Sequence, residues 1–292
     1  AALLITPDHY VLRMLVRQGV SYGALGVGAE TDPREIWRTF AAQYHLFLGT
    51  PSRLWLDYTF AELFGLDEAL SPDTADAQYD AIAACLAEDG FRPRALFDRF
   101  GIECLATTDA AVDPLRHHAA IRESGWGGTV IPTYRPDAIC DGDNRNLLRD
   151  LLAFEAAMDV DISTFAGYLD AHRAARARFR KLGAVATDHG LRARALANLS
   201  MDEMEALYAR LRGTLASAED KRLFTAAMVT WMARLSVEDG RVMQLHSGSH
   251  RNHSRHVFEA HGADKGFDIP APATFTRNLL PQLTAEGHAP RL

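Results

Sequence analysis

Cysteine is scarce in this 292-residue chain, where Cys85, Cys104 and Cys140 are the whole complement. An odd number without CxxC spacing forms neither a disulfide framework nor a thiolate metal knuckle, which points to a reducing compartment and a cytoplasmic location. Long apolar runs are lacking too. No stretch approaches the roughly 18 apolar residues that span a bilayer, and the apolar opening at 1–5 is too short for a signal-peptide core. Positive charge is in the minority: 31 Lys plus Arg stand against 38 Asp plus Glu, a formal charge of −7. Neither nucleic acid nor a membrane surface is therefore an expected partner, although a few arginines focused in a cleft can still attract a small anion. The chain also lacks HxH, HExxH, GxSxG, a phosphate-loop glycine pattern and GxGxxG. Nucleotide hydrolysis, hydride transfer and serine hydrolase chemistry are left without their usual supports.

What is present is the balance of an ordinary packed globule, 48% hydrophobic and 24% charged. Residues 1–100 read as all-helical. Pro7 suits a first turn, and Val11, Met14 and Leu15 recur at helical spacing. Further helices are expected from Asp32-Pro33, over 52–64 with a stop at Gly65, from Ser71-Pro72-Asp73 to Leu86, and over 93–100. Beyond Gly101 the pattern changes to short β-prone runs at 102–108, 129–133, 184–187 and 241–246, separated by helices at about 114 onward, 162–182 and 201–236. Strands alternating with helices imply parallel pairing with right-handed crossovers, as in a (β/α)₈ barrel or an open doubly wound sheet. A closed barrel needs eight strands, and the tail at 267–292 offers one helix near 274–283 and no clear further strand. The expected division is a helical subdomain over 1–100 and a β/α region over 101–292.

Each of these strands ends in polar residues: Thr107-Thr108-Asp109, Tyr134-Arg135, Asp188-His189 and His246. The carboxyl ends of parallel strands are where such folds hold their chemistry. The densest stretch is Gln244-Leu245-His246-Ser247-Gly248-Ser249-His250-Arg251-Asn252-His253-Ser254-Arg255-His256. Imidazole there could ligate a metal or move protons, and arginine could grip a carboxylate. For His250, His253 and His256 a solvated polar loop is an equal reading, whereas His246 sits at the strand end itself. In Asp188-His189-Gly190 the carboxylate can orient an imidazole or act as a base, its structural alternative being a helix cap. Gly190 would admit a close approach. Pro136 holds Arg135 extended, placing it for a substrate carboxylate unless it is spent on a surface pair with Asp137. Asp8-His9-Tyr10 opens the first helix, where propensity alone gives a capping aspartate and a surface histidine. His117 and His118 are adjacent and read as structural, and the four tryptophans as core or interface.

Taken in order, Asp8-His9-Tyr10, Thr107-Thr108-Asp109, Arg135-Pro136-Asp137, Thr187-Asp188-His189-Gly190 and Gln244-Leu245-His246-Ser247-Gly248-Ser249-His250-Arg251-Asn252 resemble the uronate isomerases of the amidohydrolase superfamily over nearly the whole chain. The resemblance implies a distorted (β/α)₈ barrel with a helical subdomain, interconverting an aldose and a ketose acid through an enediol. It implies His9, Tyr10, Asp188 and His246 as catalytic residues, and Arg135, His189, Arg251 and Asn252 as contacts of a small anionic sugar-acid substrate. It also implies a divalent metal, zinc, held by an HxH strand and a terminal aspartate that this chain does not contain. Flanking segments are therefore expected outside residues 1–292, and the chain alone is expected to be inactive. A metal-dependent amidohydrolase or decarboxylase on the same barrel, or a non-catalytic binding fragment, is the alternative. A homo-oligomer is compatible with the helical faces.

Overall fold

The computed structural model describes residues 4–190, 196–213, 215–272 and 279. The chain forms two compact units, Ala1–Phe100 with Gly248–Ala271, and Gly101–Ser247 with Pro272–Leu292.

The first unit begins with α1 (His9–Arg17), where the Asp8 side chain accepts from the Tyr10 and Val11 amides and so satisfies two of the helix's open donors. Its apolar face, Val11, Leu12 and Leu15, is buried. α2 (Pro33–Ala42) and α3 (Pro51–Tyr58) both open on proline, whose missing N–H has no bond to make in a first turn, with Asp32 and Thr50 as caps. α3 continues into a π-helical turn, Thr59–Leu63, and Gly65 at φ +65° ends the run. α4 (Ala75–Ala87) and α5 (Pro93–Arg99) complete the set. The core gathers around Trp37, which donates from Nε1 to the Ala75 carbonyl at 2.8 Å and meets Phe60 edge-on at 5.8 Å, with Phe40, Tyr44 and Phe47 beside it.

In the second unit β1 (Cys104–Ala110), α6 (Arg116–Glu123), β2 (Thr129–Arg135), α7 (Asp137–Cys140), α8 (Leu147–Met158) and α9 (Phe165–Lys181) are followed by β3 (Ala186–His189), α10 (Met201–Arg212), α11 (Ala218–Asp239) and β4 (Val242–Leu245). The four strands are all parallel and lie in the order β1-β2-β3-β4. A doubly wound sheet reverses its strand order at a switch point, whereas this one advances steadily in one direction. That is the winding of a (β/α)₈ barrel, of which these strands form part. The helices lie over an aromatic core of Tyr134, Phe154, Phe165, Tyr168, Phe179, Tyr208 and Phe224. α10 and α11 each start from a reciprocal capping box, Ser200 with Glu203 and Ser217 with Asp220.

Residues 248–271 group with the first unit, not with the strand-bearing region to which the sequence reading assigned them. The reasons are local: Phe267 enters the Trp37 core, Arg13 Nη1 donates to the Asp268 carbonyl at 2.6 Å, and the Tyr22 hydroxyl donates to that of Lys265 at 2.7 Å. The segment carries an antiparallel pair, β5 (Ser249–His250) with β6 (Ile269–Pro270), and α12 (Arg255–His261) between them. The helix expected at 274–283 lies outside the described residues apart from Leu279. Among the described residues no helix is long and apolar enough to cross a membrane.

Candidate active site

Side chains alternate along a strand, so the carboxyl end of β3 sends Thr187 and His189 to one face and Asp188 to the other. β2 ends at Arg135, and β4 is followed directly by His246. Pairing of β3 with β4 sets Asp188 opposite Gln244 and His189 opposite Leu245, and the His246 amide donates to the His189 carbonyl at 3.0 Å, extending the ladder by one residue. The backbone thus delivers Arg135, Asp188 and His246 to one spot above three neighbouring strands.

Their side chains interlock there. His246 Nδ1 lies 2.6 Å from Asp188 Oδ1. A carboxylate only accepts, so Nδ1 carries the hydrogen and Nε2 presents a lone pair. Arg135 Nη2 faces that lone pair at 3.4 Å, its Nη1 reaches Asp188 Oδ2 at 3.4 Å, and its Nε donates to Asp137 Oδ2 at 2.8 Å. The gradient of exposure is functional in form: the Asp188 side chain is 10% exposed, whereas that of His246 is 49% exposed. A buried carboxylate orients a half-exposed imidazole whose outer nitrogen faces a guanidinium. Such an arrangement can accept a proton at Nε2 and hold a neighbouring oxygen anion.

Gly190 belongs to this cluster for a steric reason. A Cβ on it would stand 2.6 Å from Arg135 Nη2 and 3.0 Å from both His246 Nε2 and an Asp137 oxygen. Its amide donates to the Asp137 carboxylate at 3.1 Å, so Asp137 ties the β2 end to the β3 end. From the sequence, Asp137 is an alternative partner for Arg135 and nothing more. The structure has it pairing with Arg135 and also bracing the site, which the i, i+2 spacing across Pro136 allowed but did not specify.

His189 is not presented to this cluster. It is 1% exposed, lies on the helix-facing side of β3, and has Nε2 2.9 Å from Thr187 Oγ1. Burial, with the charge of Arg176 next, pushes its pKa down to about 3, so it is a neutral ring in the fold. Nearby, the buried Tyr134 hydroxyl meets His172 Nδ1 at 2.7 Å.

The remaining candidates belong to the first unit. Tyr10 is exposed on the first turn of α1, its ring 4.2 Å from that of His9. Arg251 Nη1 donates to Asp268 Oδ2 at 2.9 Å, and the Asn252 amide, in a residue at φ +52°, donates to Asp268 Oδ1 at 2.8 Å. Asp268 therefore folds the loop that carries both. His250 is exposed in β5 and His256 in α12, and the His253 ring packs near Phe267 at 5.7 Å.

Among the described residues no group of three or more His, Cys, Asp or Glu is placed to hold a metal ion. At the cluster itself, His246 Nδ1 is engaged by Asp188 and Nε2 faces a guanidinium. That leaves a single imidazole nitrogen, which is too few donors for these residues to form a metal centre by themselves.

A family model described as glucuronate isomerase matches residues 1–291. The uronate isomerase of Rhizorhabdus wittichii is 53% identical over 292 residues, covering 100% of this chain and 63% of the relative. That of Sphingopyxis alaskensis is 51% identical, covering 99% of this chain and 62% of its own length. Among solved structures, glucuronate isomerase from Caulobacter crescentus superposes with a TM-score of 0.95 at 49% identity, over 99% of this chain and 62% of that one. Uronate isomerase from Thermotoga maritima gives 0.90 at 26% identity, over 98% and 63%. The chain thus spans a little under two thirds of the length of these relatives.

Proposed function

This chain belongs to the glucuronate isomerase family, and on that premise we propose that the whole protein interconverts an aldohexuronate and its 2-ketose, D-glucuronate with D-fructuronate or D-galacturonate with D-tagaturonate. The reaction moves the C2 hydrogen to C1 as a proton through a cis-enediol, while the O2 proton transfers to O1. In this reading His246 Nε2 accepts the carbon-bound proton and returns it to the adjacent carbon. Asp188 holds Nδ1–H in place and balances the imidazolium that forms. Arg135 holds a substrate oxygen anion. Because its guanidinium adjoins the base nitrogen, an enediolate oxygen is the partner the spacing favours, where a fixed cation acts most strongly on developing charge.

His189, a substrate contact by likeness to the family, is buried on the far face of β3 beside Thr187 and takes no part in this reading. His9 and Tyr10 are proposed as a second proton carrier, and Arg251 and Asn252 as further substrate contacts, on their likeness to the family's segments. A divalent metal, zinc in the same likeness, would draw its ligands from outside the described residues. The relatives that match are isomerases by name, which argues against the hydrolytic or decarboxylating alternative on this barrel.

The observation that carries the reading is the 2.6 Å Asp188–His246 contact beside Arg135 at three strand ends. The test is an assay of the complete gene product on D-glucuronate and D-galacturonate in deuterated water. Ketose formation with solvent deuterium appearing at C1 is expected, and His246→Asn should lower kcat by roughly 10²–10⁴-fold. Absence of ketose from either sugar acid would remove the proposal.

A further inference from the structure

The two faces of β4 differ. Met243 and Leu245 pack against the aromatic core, whereas Val242 and Gln244 are exposed on the opposite face. Gln244 stands opposite Asp188, and the pairing of Tyr134 with Thr187 and of Ala110 with Arg135 carries the same level across the sheet, as Ala110, Arg135, Asp188 and Gln244. Two members of this level, Arg135 and Asp188, belong to the proposed site. Bulky branched side chains dominate the inner levels of such barrels, so a glutamine there departs from simple filling.

The neighbours of Gln244 are bound to one another, and Gln244 is not. Arg135 holds Asp137 and Asp188, and Asp188 holds His246. The Gln244 amide makes no hydrogen bond among the described residues. Its side chain is one methylene longer than that of Asp188, on a strand about 4.8 Å away, and so reaches further from the sheet. Along its own strand it lies two residues before His246, a step of about 6.6 Å, and on the same face. An amide offers two donors and an acceptor with two lone pairs, which matches an alcohol, itself both donor and acceptor. Being neutral, it adds no charge beside the Asp188–His246 pair.

We propose that Gln244 is a substrate-binding residue that takes a hydroxyl on C3 or C4 of the open-chain hexuronate, which rests on the isomerase reading above. With the reacting carbons at His246 Nε2 and an enediolate oxygen at Arg135, the next one or two carbons toward the inside of the sheet come level with the amide. A site built to hydrogen-bond a hydroxyl discriminates against the analogue that lacks it, because the amide is then left unpaired. Gln244 thereby selects sugar acids that keep their hydroxyls beyond the reacting carbons.

The test compares the complete gene product with its Gln244→Met and Gln244→Leu variants, which remove both hydrogen-bonding atoms at an exposed position. On D-glucuronate a loss of about tenfold in kcat/KM is expected in each variant, carried mainly by KM. The assay is repeated on 3-deoxy- and 4-deoxy-D-glucuronate. On the analogue that lacks the contacted hydroxyl, variant and wild type should agree within about twofold, and that analogue identifies the hydroxyl. A loss that persists undiminished on both analogues would make Gln244 a support of Asp188 and overturn the proposal, as would kcat/KM unchanged on D-glucuronate. If the wild-type protein forms no ketose, the isomerase reading falls by itself, and Gln244 is judged by calorimetric binding of D-glucuronate. A Kd about tenfold weaker in both variants then keeps it as a contact. An equal Kd, or no binding to any of the proteins, removes it.

Discussion

Gly190 shows how tightly the proposed site is packed. Gly190→Ala places a methyl group within 2.6 Å of the Arg135 guanidinium and 3.0 Å of the His246 base nitrogen, so one or both must move. Displacement of about 1 Å near reacting groups can cost roughly 100-fold in rate. We expect kcat/KM to fall by about that factor, with the urea midpoint nearly unchanged, because the methyl group enters a partly open cluster. A variant with full activity would show that these side chains do not act from the places they occupy here. Asp188→Asn tests the other contact. An amide can present its N–H₂ to Nδ1 and move the imidazole hydrogen to Nε2, leaving no lone pair for the substrate. The expected result is a kcat lowered by at least 100-fold, with KM changed far less. Equal losses in His246→Asn and the double variant would fit one functional unit, whereas additive losses would count against it.

At the scale of elements, the sequence disclosed most where local chemistry decides the outcome. Proline at the openings of α2, α3 and α5, aspartate before α1 and α2, and Gly65 after the π-helical turn all act through their own backbone geometry. The four strands were legible from β-branched runs, but the choice between barrel and doubly wound sheet was not, because strand order is a non-local property. The strand-end residues Arg135, Asp188 and His246 were visible as types at the right ends. Their mutual contacts, the role of Asp137 and the burial of His189 depend on register and on which face of β3 each residue takes. The assignment of 248–271 to the first unit was hidden as well, since nothing local indicates that Phe267 fills a core begun more than two hundred residues earlier. Cap chemistry gives a direct check: Ser217→Ala removes one arm of the α11 capping box. A loss of about 1 kcal/mol in urea unfolding is expected, with activity retained. Loss well above 3 kcal/mol would mean that Ser217 supports more than its helix.

For the molecule as a whole, buried neutral imidazoles link stability to acidity. His189 titrates near 3 in the fold against about 6.5 in the unfolded chain. Between these values the unfolded state binds more protons, so the stabilisation is complete above pH 6.5 and declines as pH falls toward 3. At pH 5 this group alone accounts for a loss of about 2 kcal/mol, at 1.36 kcal/mol per unit. His172, buried and also lowered, adds in the same direction. Urea midpoints measured at pH 7 and pH 5 should therefore drop, and His189→Gln should flatten the dependence. An unchanged slope in that variant would place the acid sensitivity elsewhere.

The return of residues 248–271 to the first unit also sets an order of events on the ribosome. The helices of residues 1–100 emerge first, yet Phe267 and the carbonyl partners of Arg13 and Tyr22 are translated only after the intervening strands and helices. At about 5–20 residues per second the wait is on the order of ten seconds. During that interval the nascent helices carry an unclosed apolar surface into the cell, where holding chaperones would find it.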